Sequence, residues 1–384
     1  MSVWDDLVGQ QPTADTLRRA VTAAGEVLAG RPASAMTHAW LFTGPPGSGR
    51  SNTARAFAAA LLCERAGCGE CLSCRTALAG SHSDVTLVRT ESLSIGVDEV
   101  RELVRKAAMS PTGRRWQVLV VEDADRLTDR AGDALLKSLE EPAERTIWLL
   151  CAPTVEDVLP TVRSRSRLLV LRTPPAEAVA EMLVRRDGVS EALAMFAARA
   201  SQGHIGRARA LASDESTRNR RHEVLSLPGR LADVGSCITA AANLVEAAAE
   251  EAGPIAGDLE ARERADLEQA YGVGVKGTRP RGAAAAIRGL EAEHKSRRKR
   301  LERDCIDRGL VDLLSFYRDV VTAQITTSAP LVNEEMRSSV ETLARGSTAE
   351  QSLRRLAAIL EAREALEANV APTLALESMM LSLR

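Results

Sequence analysis

Four cysteines lie close together in the first part of the chain, with the spacing C-x4-C-x2-C-x2-C. Short loops of this kind let four thiolates converge on one zinc ion at about 2.3 Å. Four thiolates leave no open coordination position, so such a site is structural and not catalytic. We predict a structural zinc site here; the alternative is a cluster of reduced, buried thiols. The four predicted ligands are Cys63, Cys68, Cys71 and Cys74.

A glycine-rich segment, GPPGSGRS, precedes the cysteines. It matches the phosphate-loop pattern G-x-x-x-x-G-K-[ST] except that Arg50 stands at the lysine position. In such a loop, backbone N–H groups and the positive end of the following helix face phosphate oxygens, and the Ser51 hydroxyl would ligate magnesium. Arginine keeps the charge but is longer, planar and forked. We predict the phosphate-loop fold and leave binding of ATP and Mg²⁺ open. The loop glycines are Gly44, Gly47 and Gly49.

An acidic pair ends a later apolar run, WQVLVVEDAD. Catalytic phosphate-loop enzymes of this type end that strand with Asp-Glu, in which Asp holds magnesium and Glu polarises water. Here the order is reversed to Glu122-Asp123. A misplacement of about 1 Å can cost on the order of a hundredfold in rate. We therefore expect no ATP hydrolysis by this chain alone. For the pair Glu122-Asp123 itself, the alternative is a plain solvated strand end.

Apolar strand-like runs alternate with helical patterns up to about residue 173, which predicts a mainly parallel α/β sheet. The expected strands are 39–44, 84–90, 116–123, 146–152 and 166–172. We predict three domains: 1–173 with the zinc insert at 63–74, a helical lid at 174–225, and an all-α domain at 226–384. The last contains a charged helical hairpin, 257–305, with a Gly/Pro-rich tip.

Composition limits the classes of function. The chain has 384 residues, a net charge of −2 and a pI near 6.3, which argues against broad wrapping around nucleic acid. The first ten residues lack the features of a signal peptide, and no apolar stretch approaches the roughly 20 residues that span a bilayer. Seven cysteines, four of them clustered, fit a reducing cytoplasm.

Several segments in order resemble the clamp-loader branch of the AAA+ ATPases, in particular the delta-prime subunits of bacterial DNA polymerase III. The resemblance covers residues 1 to about 210, and its most specific part is ALLKSLEEP followed by LPTVRSRS. The first cysteine gap is shorter than is usual in the family. The other matching segments are VGQ (8–10), the phosphate loop, the cysteines, SHSDV (81–85) and VVEDAD.

The resemblance implies roles for further residues. Val8, Gly9 and Gln10 would lie near the adenine. Arg165, in Ser164-Arg165-Ser166, would be an arginine finger that reaches the γ-phosphate held by a neighbouring subunit, although Ser166 replaces the usual cysteine. The alternative is a solvated basic turn. Weaker matches place Thr154 near the first sensor and Arg207 near the second.

The resemblance implies an AAA+ module, a lid and a helical collar in a hetero-pentamer with delta and gamma/tau subunits. That assembly of the DNA polymerase III holoenzyme loads the ring-shaped β sliding clamp onto primed DNA, and this chain would be its stator. Two alternatives stay open: an active ATPase motor that uses Arg50, and a zinc-dependent nucleic-acid-binding protein with a vestigial loop. The basic run 295–300 is either a solvated helix face or a DNA contact.

Overall fold

The computed structural model describes residues 2–90, 94–113, 115–271, 283–326 and 329–384. The chain divides into an N-terminal unit, Met1–Ser213, and a C-terminal unit, Asp214–Arg384. The first unit combines a sheet with helices, and the described part of the second is helical. The predicted domain boundaries at residues 173 and 225 stay predictions.

The N-terminal unit is built on a five-stranded sheet in the order β2-β3-β4-β1-β5. All pairs are parallel, with Trp40 opposite Leu149 and Val120 opposite the same leucine on the other side. The predicted α/β fold is confirmed, and each predicted strand overlaps an observed one. The strands are β1 (Ala39–Thr43), β2 (Val85–Val88), β3 (Gln117–Val121), β4 (Thr146–Ala152) and β5 (Arg167–Val170).

Helices cover both faces of the sheet, which explains why the central strands are apolar at nearly every position instead of alternating. The polar residues of β1, β3 and β4 are Thr43, Gln117 and Thr146, each at a strand end. Every residue of β1, β3 and β4 is buried. Trp40 of β1 packs edge-to-face on Phe57 with ring centroids 5.2 Å apart. The helices are α1 (Gln11–Leu28), α2 (Arg50–Leu62), α3 (Leu72–Leu78), α4 (Val97–Ala107), α5 (Asp129–Glu140) and α6 (Pro160–Arg163), followed by α7 (Ala176–Asp187), α8 (Glu191–Ala200) and α9 (Ile205–Ser213).

The C-terminal unit packs its helices around one apolar core that includes Leu310, Phe316 and Met380. Two of its helices are long and pack against each other. The tip of the predicted hairpin, 272–282, lies outside the described residues. The helices are α10 (Glu215–Ser226), α11 (Val234–Ala270), α12 (Ala283–Ile325), α13 (Arg337–Gly346), α14 (Ala349–Glu367) and α15 (Pro372–Leu383).

A buried polar network stabilises this second core. Arg221 is only 4% exposed and donates hydrogen bonds to Asp312, Asn333 and Glu335. Asp319 accepts two hydrogen bonds of 2.7 Å from Asn333, one from its backbone N–H and one from its amide. Buried charges require such partners.

Within the described ranges, no helix is both long enough and apolar enough to cross a bilayer.

Candidate phosphate-loop and metal-binding sites

The four clustered cysteines have the geometry of a metal site. Their Sγ atoms all lie within 4.8 Å of one another, and the Cys63–Cys68 and Cys63–Cys71 distances are both 3.7 Å. Four thiolates at about 2.3 Å from a tetrahedral zinc ion would be separated by about 3.8 Å. The predicted residues therefore converge, and the cluster could hold a metal ion.

Local backbone structure explains the convergence. Cys63 follows the last residue of α2, and Cys71 precedes α3, where its Sγ accepts a hydrogen bond from the N–H of Cys74. Between them, Gly67 and Gly69 have positive φ angles of 98° and 79°, so the chain can turn tightly. Backbone N–H groups of Cys71 and Glu70 lower the pKa of the Cys68 thiol to about 6, which favours the thiolate that metals bind.

The N-terminal segment packs on the cysteine turn. The N–H of Val3 donates to the carbonyl of Gly67 at 3.0 Å, and the indole N–H of Trp4 donates to the carbonyl of Ala66 at 3.2 Å. A Cβ atom at Gly67 would lie 2.6 Å from Cγ2 of Val3. Glycine is therefore required at this position for steric as well as for conformational reasons.

The glycine-rich loop has the predicted place, between the end of β1 and the start of α2. Gly47 and Gly49 have φ angles of 82° and 90°, a region that favours glycine. The guanidinium of Arg50 turns back and donates a hydrogen bond through Nη1 to the carbonyl of Gly44. Burial lowers the pKa of Arg50. The Gly44 carbonyl of the loop is thus paired with a cationic side chain of the same chain.

His204 covers the loop, a contact that sequence reasoning did not identify. A Cβ atom at Gly47 would lie 2.4 Å from Cγ of His204, so only glycine fits beneath the ring. The imidazole Nδ1 also accepts a hydrogen bond of 3.2 Å from the N–H of Arg207. His204 thus brings the segment GHIGRA beside the loop, and the sensor role of Arg207 stays a prediction. The segment GHIGRA was the available signal, since it contains the histidine as well as the predicted arginine.

The acidic pair at the end of β3 is engaged by protein groups. Glu122 is 8% exposed. Its Oε1 accepts a hydrogen bond of 2.9 Å from Nε of Arg55, and Nη2 of the same arginine lies 2.7 Å from this oxygen. Arg89 lies farther away, at 3.8 Å. Asp123 accepts a hydrogen bond of 3.3 Å from the backbone N–H of Thr90. A guanidinium therefore neutralises the carboxylate that would face a metal ion in a catalytic site.

Arg55 was not among the predicted site residues. It lies one helical turn after Ser51 in α2, so helical periodicity places it on the side of Ser51. Nothing in the local sequence indicates its partner, which is 67 residues away.

Around the loop, three buried hydroxyls have no hydrogen-bond partner among the described residues: Thr43, Ser48 and Thr53. The loop thus keeps hydroxyl donors suited to an anion, while the Arg55 guanidinium occupies the position next to the Glu122 carboxylate.

The predicted adenine segment links the loop to its surroundings. The amide of Gln10 donates to the carbonyls of Arg172 at 2.5 Å and Ser48 at 3.4 Å, and its Oε1 accepts from the N–H of Arg172. Val8 belongs to the apolar cluster of α7, α8 and α9, and Gly9 has a φ of 68°. Hence these residues join the loop, the end of β5 and the following helices.

Two further predicted residues lie at the surface. Thr154 follows β4 and is exposed, and its Oγ1 accepts a hydrogen bond of 3.3 Å from the N–H of Asp157. Arg165 follows α6, with 34% of its side chain exposed. Its Nε donates to Glu140 at 2.7 Å, and its Nη1 donates to the carbonyl of Thr161 at 3.0 Å. Glu140 is the last residue of α5 and so fixes the direction of the guanidinium.

The fold and the loop together define the class of protein. A parallel sheet of this strand order, a glycine-rich loop between β1 and α2, and three helices after β5 form an AAA+ phosphate-loop module. Residues 30–175 match the family model described as "DNA polymerase III, delta subunit".

Relatives place the module more closely. The chain is 38% identical over 164 residues to the DNA polymerase III subunit delta' of Pseudomonas aeruginosa, covering 41% of this chain and 50% of that protein. It is 35% identical over 158 residues to the gamma/tau subunit of Mycobacterium tuberculosis, covering 40% of this chain and 27% of that protein. The chain thus spans half or less of the length of these relatives. Its N-terminal module is related to the clamp-loader subunits of DNA polymerase III, as the sequence motifs predicted.

A gamma subunit-related protein of Thermotoga maritima gives a weak structural match. Its TM-score is 0.40 at 15% identity, over 95% of this chain and 98% of that chain. A similarity of this degree carries no conclusion about either unit.

The ion pair of Glu122 makes a prediction about stability. Replacing Arg55 with Ala leaves a buried carboxylate without its close cation, so the free energy of unfolding should fall by about 2 to 3 kcal/mol in urea titrations. The matched control is Arg89→Ala, which removes a more distant and largely exposed cation and should cost less than about 1 kcal/mol. Equal effects of the two substitutions would contradict the assignment.

Proposed function

We propose that this chain is a clamp-loader subunit of the delta-prime type in a DNA polymerase III holoenzyme. It would act in the cytoplasm with delta and gamma/tau subunits to load the β sliding clamp onto primed DNA. The observation that carries the proposal is the state of its own phosphate loop within a module related to delta' and gamma/tau. Arg50 binds Gly44, and Arg55 binds Glu122, so the chain supplies cations where a motor subunit binds Mg²⁺-ATP.

This arrangement fits a stator better than a motor. Magnesium at Glu122 would have to displace a guanidinium already at 2.7 Å, and for phosphates to enter the loop the Arg50 guanidinium would have to leave the carbonyl of Gly44. His204 restricts the space above Gly47 as well. Each displacement opposes nucleotide binding, so hydrolysis belongs to other subunits of the complex. The buried hydroxyls of the loop and the positive charge of Arg50 favour the alternative of an active motor.

Arg165 is the residue through which the chain would act on a neighbour. A finger must lie at the surface and be oriented before the neighbour's nucleotide arrives, because a mobile arginine loses rotamer entropy on binding. Glu140 and the carbonyl of Thr161 hold the guanidinium in this way. In the complex it would stabilise the negative charge that develops on the γ-phosphate.

The C-terminal unit offers a surface for assembly with the other subunits. Two leucines seven residues apart are exposed on α14, Leu353 (55%) and Leu360 (47%). Leu374 (62%) and Leu381 (45%) repeat this spacing on α15, which packs against α14. A seven-residue interval keeps side chains on one helix face, and exposed apolar side chains on packed helices are typical of subunit interfaces. This supports a collar role.

The cysteine cluster would hold zinc as a structural ion. The donor set of four thiolates and the Sγ distances of 3.7 Å fit zinc, and the turn they close anchors the N-terminal segment. The site has no open coordination position and takes no part in nucleotide chemistry.

The arginine-finger assignment is tested in a complex reconstituted with the delta and gamma/tau subunits of the same organism. Arg165→Ala should slow ATP turnover at the neighbouring site by about 10³-fold, the lower end of the range for arginine fingers. The matched control is Arg163→Ala, an exposed arginine two residues away, which should leave the rate unchanged. Unchanged ATPase in the Arg165→Ala complex, with assembly intact by gel filtration, would refute the finger role.

The stator assignment is tested with the purified chain alone. We expect no ATP turnover and no tight ATP binding by calorimetry, and we expect Arg50→Lys to leave turnover absent because Arg55 still binds Glu122. Mg²⁺-dependent hydrolysis by the unmodified chain would instead establish the motor alternative.

The zinc assignment is tested by metal analysis of the purified chain. One zinc ion per chain is expected, and Cys71→Ser should remove it and lower the melting temperature. Cys305→Ser is the control, since this cysteine lies on α12 outside the cluster and should leave the zinc content unchanged. Full zinc content in the Cys71→Ser protein would overturn the assignment.

A further inference from the structure

Helices α11 and α12 continue beyond the core of the C-terminal unit. The core includes residues of α11 only as far as Ala248 and residues of α12 only from Cys305 onward. Farther out, the two helices are joined by ion pairs, among them Glu260 to Arg298 at 2.5 Å and Glu263 to Arg297 at 2.8 Å. The order of these pairs shows that the helices run antiparallel. We call residues 249–270 and 283–304 the arm.

One side of α12 in the arm faces α11. Arg297 is only 8% exposed and binds Glu263, and His294 contacts the same carboxylate at 2.9 Å. With about 100° per residue, Leu290 and Leu301 fall on this inner side as well. Both leucines are half-buried. The inner side of α12 is therefore fixed by contacts, and the opposite side can be read from the helical period.

The opposite side of α12 carries only basic and small side chains. Over an arc of about 140° it contains five cations separated by small residues, and it contains no carboxylate. The acidic residues of this stretch fall outside the arc, as do the leucines. We call this arc the outer face. Its residues are Arg288, Gly289, Ala292, Lys295, Ser296, Lys299, Arg300 and Arg303.

Three of the five cations of the outer face are available to a ligand. Arg288, Lys295 and Lys299 are exposed, and none of the three has an ion-pair partner among the residues that the structure describes. Arg303 donates to the amide oxygen of Asn369, which leaves its charge unneutralised by that contact. By contrast, Arg264 and Arg298 on other sides of the arm are paired with glutamates.

We propose that the outer face of the arm binds the phosphate backbone of nucleic acid without reading its sequence. From Arg288 to Arg303 the face is about 22 Å long at 1.5 Å per residue. Duplex DNA presents one negative charge per about 1.7 Å, so several phosphates can lie along this length. The small residues between the cations let the backbone approach the helix closely.

The composition of the face favours nucleic acid over an acidic protein. Protein interfaces have apolar or aromatic anchors at their centre, and the outer face has none. The absence of aromatic residues also argues against base stacking, so the contacts would be to phosphate and sugar. The net charge of −2 opposes binding elsewhere on the chain and confines it to local surfaces.

The test is binding of the full chain to a fluorescein-labelled duplex of mixed sequence, measured by anisotropy from about 50 to 200 mM salt. The triple variant Arg288→Gln/Lys295→Gln/Lys299→Gln should weaken binding at least about tenfold at low salt and reduce the slope of log K against log salt by about 2.7. The charge-matched control Arg337→Gln/Arg345→Gln/Arg354→Gln, on α13 and α14, should bind like the unmodified chain.

Three results would overturn the proposal: no duplex binding at low salt, equal loss in the two triple variants, or tighter binding to poly-glutamate than to the duplex. The last would identify an acidic protein as the partner. The arm lies outside residues 30–175, which carry the family match, so this test is independent of the ATPase measurements.

Discussion

The burial of Glu122 at the end of β3 requires a cation, and the organisation of the site follows from how that requirement is met. In a catalytic phosphate-loop protein a bound magnesium ion supplies positive charge at this strand end. In this chain Arg55 supplies it from α2, at 2.7 Å from the carboxylate. An ion pair within the protein is always present, whereas a metal ion depends on bound nucleotide. The charge balance at this strand end is thereby independent of bound ATP.

The same independence appears at the other side of the loop. Arg50 donates to Gly44, His204 lies over Gly47, and Gln10 links Ser48 to the strand exit at Arg172. In a motor subunit these elements must move when nucleotide binds and leaves. Here each of them has a partner inside the N-terminal unit. The cysteine turn adds to this, because it fixes the first residues of the chain through Val3 and Trp4.

Groups that would act on other molecules are located at surfaces. Arg165 is exposed but oriented by Glu140, the leucines of α14 and α15 are exposed on packed helices, and the basic outer face of the arm is directed away from α11. Orientation by a fixed partner and exposure to solvent are both needed for recognition, since an unrestrained side chain loses conformational entropy on binding. The interior of each unit serves to hold these surfaces in place.

The sequence by itself determined the parallel sheet, the loop and the cysteine cluster that could hold a metal ion. Strands buried on both faces are apolar at nearly every position, so 146–152 could be identified from the run TIWLLCA, in which only the first residue is polar. The four cysteines could be identified because they are close in sequence and short loops bring their sulfur atoms together. Only the tertiary structure decided where Arg50 points, which cation neutralises Glu122, that His204 covers Gly47 and that Glu140 orients Arg165. Those contacts join residues far apart in the chain, and the direction of a long side chain depends on partners that local periodicity does not specify.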